Sequence, residues 1–188
     1  MNENVGKIRE YLDNFYTADE WPTLRQQAED WAKTRPLEGL KLLDATPIYR
    51  NTLAKFMALQ AAGAELYVPG KTLMPRHAET AALLPQFGIK TASKEDTFDI
   101  ILDCAGSCAH RMPTLGYAEL TKSGVAAYER TKRPVIVADS GIIKRIETGL
   151  GPGESFFRAL AQLGYEELEG RHLAVVGYGK VGRGIVHY

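Results

Sequence analysis

Along the chain, apolar positions change period three times. Residues 3 to 16 and 22 to 34 repeat at helical spacing, with Ile8, Leu12 and Phe15 on one face and Pro22 at a first helical position. After Arg35-Pro36 short apolar runs alternate with helical stretches. The runs Leu40–Leu43, Glu65–Val68, Ile89–Ala92, Asp99–Leu102 and Val135–Ala138 predict strands. The stretches 48–62, 75–86 and 116–130 predict helices, and Gly63 and Gly88 stand where two of them should stop. Strands alternating with helices predict a parallel α/β sheet with helices on both faces.

The segment GLGPGESFFRALAQLG interrupts that rhythm. Gly149, Gly151, Pro152 and Gly153 predict a loop, and Glu154 opens a helix to about Leu163. The loop and helix read as a hinge. Leu173–Val176 then predicts a buried strand, followed by Gly177, Gly179 and Gly182 at G-x-G-x-x-G spacing. After a strand this pattern predicts a dinucleotide phosphate site, with glycines for the tight turn, for phosphate approach and for helix–strand packing. The acidic residue that would hold a ribose about 20 positions on has no place before Tyr188. The motif therefore reads as the first strand–turn of a Rossmann domain, cut short. The expected organisation is a substrate-type domain over 1–148, a hinge over 149–170 and a truncated NAD-binding start over 171–188.

Composition narrows the function classes. Lys+Arg and Asp+Glu balance at 23 each, so neither nucleic acid nor an anionic membrane is an expected partner. No apolar run reaches membrane-spanning length, and MNENVGKIREYLDN is no signal peptide. A cytoplasmic location is expected. Cys104 and Cys108 make no disulfide framework, and with His110 they lack a fourth ligand, so no metal is expected. Trp21 and Trp31 read as packing residues. Asp103 ends an apolar strand, at the edge where parallel sheets bind ligands, although an Asp there also caps its own turn.

Four stretches, taken in order, resemble the S-adenosylhomocysteine hydrolase family. They are RPLEGLKLLDATPIYRNTLAKFMALQAAGAEL, DIILDCAGS, PVIVADSGIIKRIETGLGPGESF and LEGRHLAVVGYGKVGRG, and they span residues 20 to 184 with their surroundings. The resemblance implies a flavodoxin-like substrate domain joined by a hinge to a Rossmann domain that binds NAD. It implies thioether hydrolysis by transient oxidation of the ribose 3′-hydroxyl, elimination of the thiol, addition of water and re-reduction.

Residue by residue, the resemblance implies Lys144 as base, one position late in a gapless match that puts Ile143 there. It implies Glu147 at an aspartate position and Thr148 beside the cofactor. Thr52 and Asn51 fall where the family contacts the nucleoside, and Thr121 and Ser123 where it touches NAD. Asp103 is retained beside the family's acid position, which here is Cys104. Pro47 replaces a histidine, Tyr49 a threonine and Leu120 a glutamate. The pocket is thus expected to differ from that of an ordinary adenosylhomocysteinase. The catalytic candidates are Lys144, Glu147 and Asp103. The cofactor candidates are Gly177, Gly179, Gly182, Thr121, Ser123 and Thr148, with tight NAD binding not expected of these residues alone. Alternatives are a 2-hydroxyacid-dehydrogenase-like oxidoreductase and a non-catalytic paralogue that binds a nucleoside or partner chain. The apolar stripe Phe156, Phe157, Leu160 and Leu163 leads us to expect a homo-oligomer.

Overall fold

The computed structural model describes residues 3–188; Met1 and Asn2, the start of the segment expected to open the first domain, lie outside the described residues. The chain forms two compact units, one ending at Val137 and one running from Ala138 to Tyr188.

The first unit is built on six parallel strands. They are β1 (Lys41–Asp44), β2 (Glu65–Pro69), β3 (Lys90–Ala92), β4 (Ile100–Asp103), β5 (Gly116–Glu119) and β6 (Val135–Val137), in the order β3-β2-β1-β4-β5-β6. The expected parallel α/β class is what forms, and the order is that of a doubly wound sheet whose direction of winding reverses between β1 and β4. Alternation along each strand divides the core. Leu42, Leu66 and Val68 face helices α1 (Glu3–Asp13), α2 (Pro22–Thr34) and α3 (Thr52–Ala61). Leu43, Tyr67, Ile101 and Tyr117 face the other way, where Phe98, Cys108 and Tyr128 cover them.

Val5, Ile8 and Leu12 are the buried stripe of α1. Phe15, expected on that stripe, lies beyond the helix and is half exposed, with the Arg50 guanidinium 3.8 Å from its ring centre. Helix α4 (Ala78–Leu83) continues as a 3-10 turn, Leu84–Phe87, and Gly88 stops it in the left-handed conformation.

One helix expectation fails. Residues 116–130 are not one helix but β5 followed by a 3-10 segment, Lys122–Tyr128. Four residues, GYAE, pair with β4 in register from Ile100↔Gly116 to Asp103↔Glu119. Tertiary pairing and the burial of Tyr117 and Glu119 override a helical pattern that Gly116 and Gly124 weaken.

The second unit departs further from expectation. Helix α5 spans Ile142–Gln162 without a break, so the loop expected at Gly149–Gly153 is helical. Helix α6 (Lys180–His187) lies against it. An added methyl at Gly184 would run into the Gly149 carbonyl, and one at Gly153 into the Gly184 carbonyl. Gly149 and Gly153 are four apart and share a face, so these glycines serve close approach and not a loop. Leu173–Val176 forms no strand; Val176 is fully exposed and Leu173 half exposed. Among the described residues it has no neighbouring strand to satisfy its backbone, without which an extended segment does not become a sheet.

Candidate functional site

At the carboxyl ends of β4 and β5 two carboxylates are fully buried, Asp103 and Glu119. Asp103 Oδ1 accepts the Cys104 amide at 2.8 Å and the Ser107 hydroxyl at 2.6 Å; Oδ2 accepts the Cys108 amide at 2.8 Å and the Tyr128 hydroxyl at 2.5 Å. Glu119 Oε1 accepts the amides of Ala105 and Thr121 at 2.9 and 2.8 Å and the Thr121 hydroxyl at 2.8 Å. Its Oε2 accepts the Gly106 amide at 3.0 Å. The loop 104–108 is therefore wrapped around two anions of its own chain. Ala105 and Gly106 both take positive φ, 57° and 67°, which turns their amides inward. The two carboxylates hold that conformation, which Ala105 would not favour alone. Gly124 makes room for this knot, since a methyl there would strike the Glu119 carboxylate.

Three expected site residues meet on this network. The Thr121 and Ser123 hydroxyls lie 2.9 Å apart, and Thr121 bonds Glu119, whose neighbour across the strand pair is Asp103. Burial first, and then the hydrogen bond from its hydroxyl to Asp103, push the Tyr128 phenol far above its ordinary range. Burial also pushes the Cys108 thiol up, with Asp103 adding to it, so Cys108 stays a neutral thiol. Neither Cys104 nor Cys108 is in a disulfide among the described residues, and both are buried.

The turn after β1 carries a second charged group that the sequence reading missed. Asp44 is fully buried and pairs with Lys55 on α3 at 2.6 Å. Thr46 bonds both, its hydroxyl reaching Asp44 at 2.6 Å and accepting from Lys55 at 2.7 Å. The legible signal was an Asp closing the apolar strand KLLD, with a Lys one turn into the next helix. Thr52, the first residue of α3, accepts the Tyr49 amide at 3.0 Å and donates to the Pro47 carbonyl at 3.3 Å. It thus shapes the turn. Asn51, beside it, is exposed and lines an apolar cavity of about 560 Å³ between α1, α2 and α3. β1 and β4 are neighbours whose loops diverge, the place where open parallel sheets form a crevice.

Within the second unit the expected cofactor residues also converge. Gly177, Gly179, Gly182 and Thr148 line one cavity of about 480 Å³, together with Asp139 and Lys180. Gly177 has φ 99°, which only glycine adopts without strain, and a methyl at Gly182 would collide with the Gly177 carbonyl. Gly179 has open space where a side chain would stand. Lys180 bonds the Asp139 carboxylate at 2.7 Å. The glycine set fits the phosphates of a dinucleotide, and Lys180 adds a cation at the first turn of α6.

Lys144 and Glu147 meet on α5 at 2.6 Å, one turn apart. The Lys144 side chain is 26% exposed, whereas Ile143 is 84% exposed. A regular helix, with no bulge, thus shields Lys144 more than its neighbour. Thr148 donates to the Lys144 carbonyl at 2.6 Å.

Among the described residues no helix is long and apolar enough to cross a membrane. No family model matches the chain. Curated relatives do. The chain is 27% identical to the S-inosyl-L-homocysteine hydrolase of Methanopyrus kandleri over 90% of its own length and 48% of the relative's. It is 25% identical to the adenosylhomocysteinases of Aquifex aeolicus and Sulfurisphaera tokodaii, in each case over 87% of itself and 47% of the relative. The chain spans about half the length of the curated relatives it matches. Most of the chain's length thus finds distant homologues among proteins named S-inosyl-L-homocysteine hydrolase or adenosylhomocysteinase.

Proposed function

We propose that the chain is the substrate-side part of an NAD-dependent enzyme related to S-adenosylhomocysteine hydrolase, with an altered pocket for a nucleoside-like thioether. The observation that carries this reading is the cavity in which Gly177, Gly179, Gly182 and Thr148 meet, taken with the distant homologues. Gly177, Gly179 and Gly182 would hold the phosphates of NAD, with Lys180 as the cation beside them, and the bound cofactor would supply reversible hydride transfer at the ribose. Thr148 fixes the backbone of the turn that carries Lys144.

Lys144 is the base at the ribose hydroxyl, and Glu147 accepts its hydrogen bond and holds the amine in place. Asp103 is a positioning residue, because all four of its observed partners come from the chain itself. With Glu119 it shapes the loop beside which Thr121 and Ser123 offer hydroxyls. Thr52 and Asn51 stand at the other lip of the crevice between β1 and β4 and contact the nucleoside. The exposed apolar residues of α5, Ile142, Ile146 and Leu150, suit a homo-oligomer or a neighbouring domain.

A second reading is a non-catalytic nucleoside binder. It is favoured by Pro47, which cannot transfer a proton, and by the complete engagement of Asp103. The deciding experiment supplies S-adenosylhomocysteine and S-inosylhomocysteine, with NAD, to the protein carrying its whole natural chain. Release of free homocysteine thiol, abolished in Lys144→Met, is the expected result. Nucleoside binding with no thiol release from either compound overturns catalysis in favour of the second reading.

A further inference from the structure

The turn after β1 carries a charge that the proposed chemistry does not use. Asp44 ends β1 fully buried, and Lys55, the fourth residue of α3, reaches back to it at 2.6 Å. The Thr46 hydroxyl accepts from the same ammonium at 2.7 Å. Two of the three ammonium donors are thus spent, and the Lys55 side chain is still 32% exposed. The head group lies at the carboxyl edge of the sheet, because the Ala45 amide still bonds the Leu102 carbonyl at 2.8 Å and Thr46 is the next residue. There β1 and β4 part, where open sheets take their ligands. Asp44 is the buried half of the pair, so what the pair shows to solvent is its cation. The loops at this edge have the same sign. Residues 45–51 and 70–77 contain Arg50, Lys71, Arg76 and His77 and neither Asp nor Glu. Ile48 ties the two loops together, its amide bonding the Pro75 carbonyl at 3.0 Å and its carbonyl accepting the His77 amide at 2.8 Å. Asp103, at the end of β4, spends its carboxylate on the chain itself. A fixed cation with one donor to spare, at an edge of its own sign, suits an anionic group better than a hydroxyl or an amine.

We propose that Lys55 is a specificity-determining residue: its ammonium binds the carboxylate of the ligand's amino-acid arm, while Asp44 and Thr46 hold the ammonium in place. The inference rests on the nucleoside-thioether reading above and adds which end of the ligand the edge of β1 reads. A homocysteine thioether carries that carboxylate and a free nucleoside does not, so Lys55 separates the two. Lys144 and the glycine turn belong to the other unit, and the proton and hydride chemistry is not involved.

The test is a calorimetric titration of the protein carrying its whole natural chain, in a Lys144→Met background that stops thiol release. The ligands are S-adenosylhomocysteine, its decarboxylated analogue and adenosine. S-adenosylhomocysteine should bind about tenfold more tightly than the analogue, the worth of one hydrogen bond between charged groups. That comparison needs no variant at the edge of β1, so equal binding of the two would overturn the inference and leave nucleoside binding standing. Lys55→Arg should keep the preference. Asp44→Asn combined with Lys55→Gln removes both charges together, so that no carboxylate is buried alone. It should erase the preference and leave adenosine affinity unchanged. A preference that survives this double variant places the carboxylate elsewhere and sinks the inference. So does a gain of adenosine monophosphate over adenosine that exceeds the gain of the thioether and vanishes in the double variant, since the cation would then read phosphate. If adenosine and both thioethers fail to bind at millimolar concentration, the inference falls together with the nucleoside reading.

Discussion

Helix α3 in the first unit buries eight of its ten residues, among them Leu53, Phe56 and Met57. Helix α5 in the second unit is twice as long, yet the one residue it buries is Gly153. α3 is held by the volume of its side chains, packed between a sheet face and two other helices. α5 is held against α6 by the absence of side chains, where carbonyls and glycine Cα atoms touch. The first arrangement tolerates no deletion and the second no addition. The same contrast divides the candidate chemistry: anions locked inside the first unit, and an open glycine cradle in the second.

The largest effect should follow from emptying the first core. Phe56→Ala should cost about 3–5 kcal/mol, measured by urea unfolding. A loss under about 1 kcal/mol would mean that α3 is not held by volume. Asp103→Ala should come next. It removes the acceptor of two backbone amides and the Ser107 hydroxyl in the loop 104–108 and leaves the Tyr128 hydroxyl only Glu119, and a loss of about 3 kcal/mol is expected from unmatched buried donors. Amide exchange at Cys104 and Cys108 should rise with it.

In the second unit the sign reverses. Gly184→Ala should cost about 2 kcal/mol through overpacking. It should speed amide exchange in α6 while leaving protection of β1 and β4 unchanged. A shared loss in both units would break the contrast.

Tyr128→Phe should remove about 1.5 kcal/mol, the worth of a hydrogen bond to a charged group, and also change the pH dependence. The folded chain keeps a proton that the unfolded chain releases above the ordinary tyrosine value of 10.0. The stabilisation is thus intact below pH 10 and declines as pH rises beyond it. Tyr117 and Tyr67 are also raised, each chiefly by burial. The variant should therefore flatten the alkaline limb of a denaturation series without abolishing it. The smallest change should be Lys144→Gln. Its partner Glu147 is 58% exposed, so stability should move by less than about 0.5 kcal/mol. Any larger consequence in thiol release would then belong to chemistry and not to folding.

Much of the first unit was legible because its elements are local and periodic. The pair Ile8 and Leu12, the run Leu40–Leu43 and the stops at Gly63 and Gly88 each carry their own signal, whereas Phe15, read on the same face, lies beyond the helix and half exposed. β5 was not legible, since four residues with a single large apolar side chain become a strand only when β4 offers its edge. The glycines of α5 misled for a related reason. Gly-Leu-Gly-Pro-Gly reads locally as a loop, and only α6, some thirty residues later, gives the missing side chains a use.

The candidate site divides along the same line. Asp103 and the spacing of Gly177, Gly179 and Gly182 stand in the text of the chain, because strand ends and phosphate turns have fixed residue requirements. Glu119 and Tyr128 as partners of Asp103 do not. Those depend on which strand lies beside which, and on what remains unpaired once the sheet has closed. Local steric and hydrophobic preferences are written in adjacent residues, so the amino-acid order determined the doubly wound class and the glycine turn. Burial of charge and polar partnership join residues far apart in the chain, and only the tertiary structure decided them.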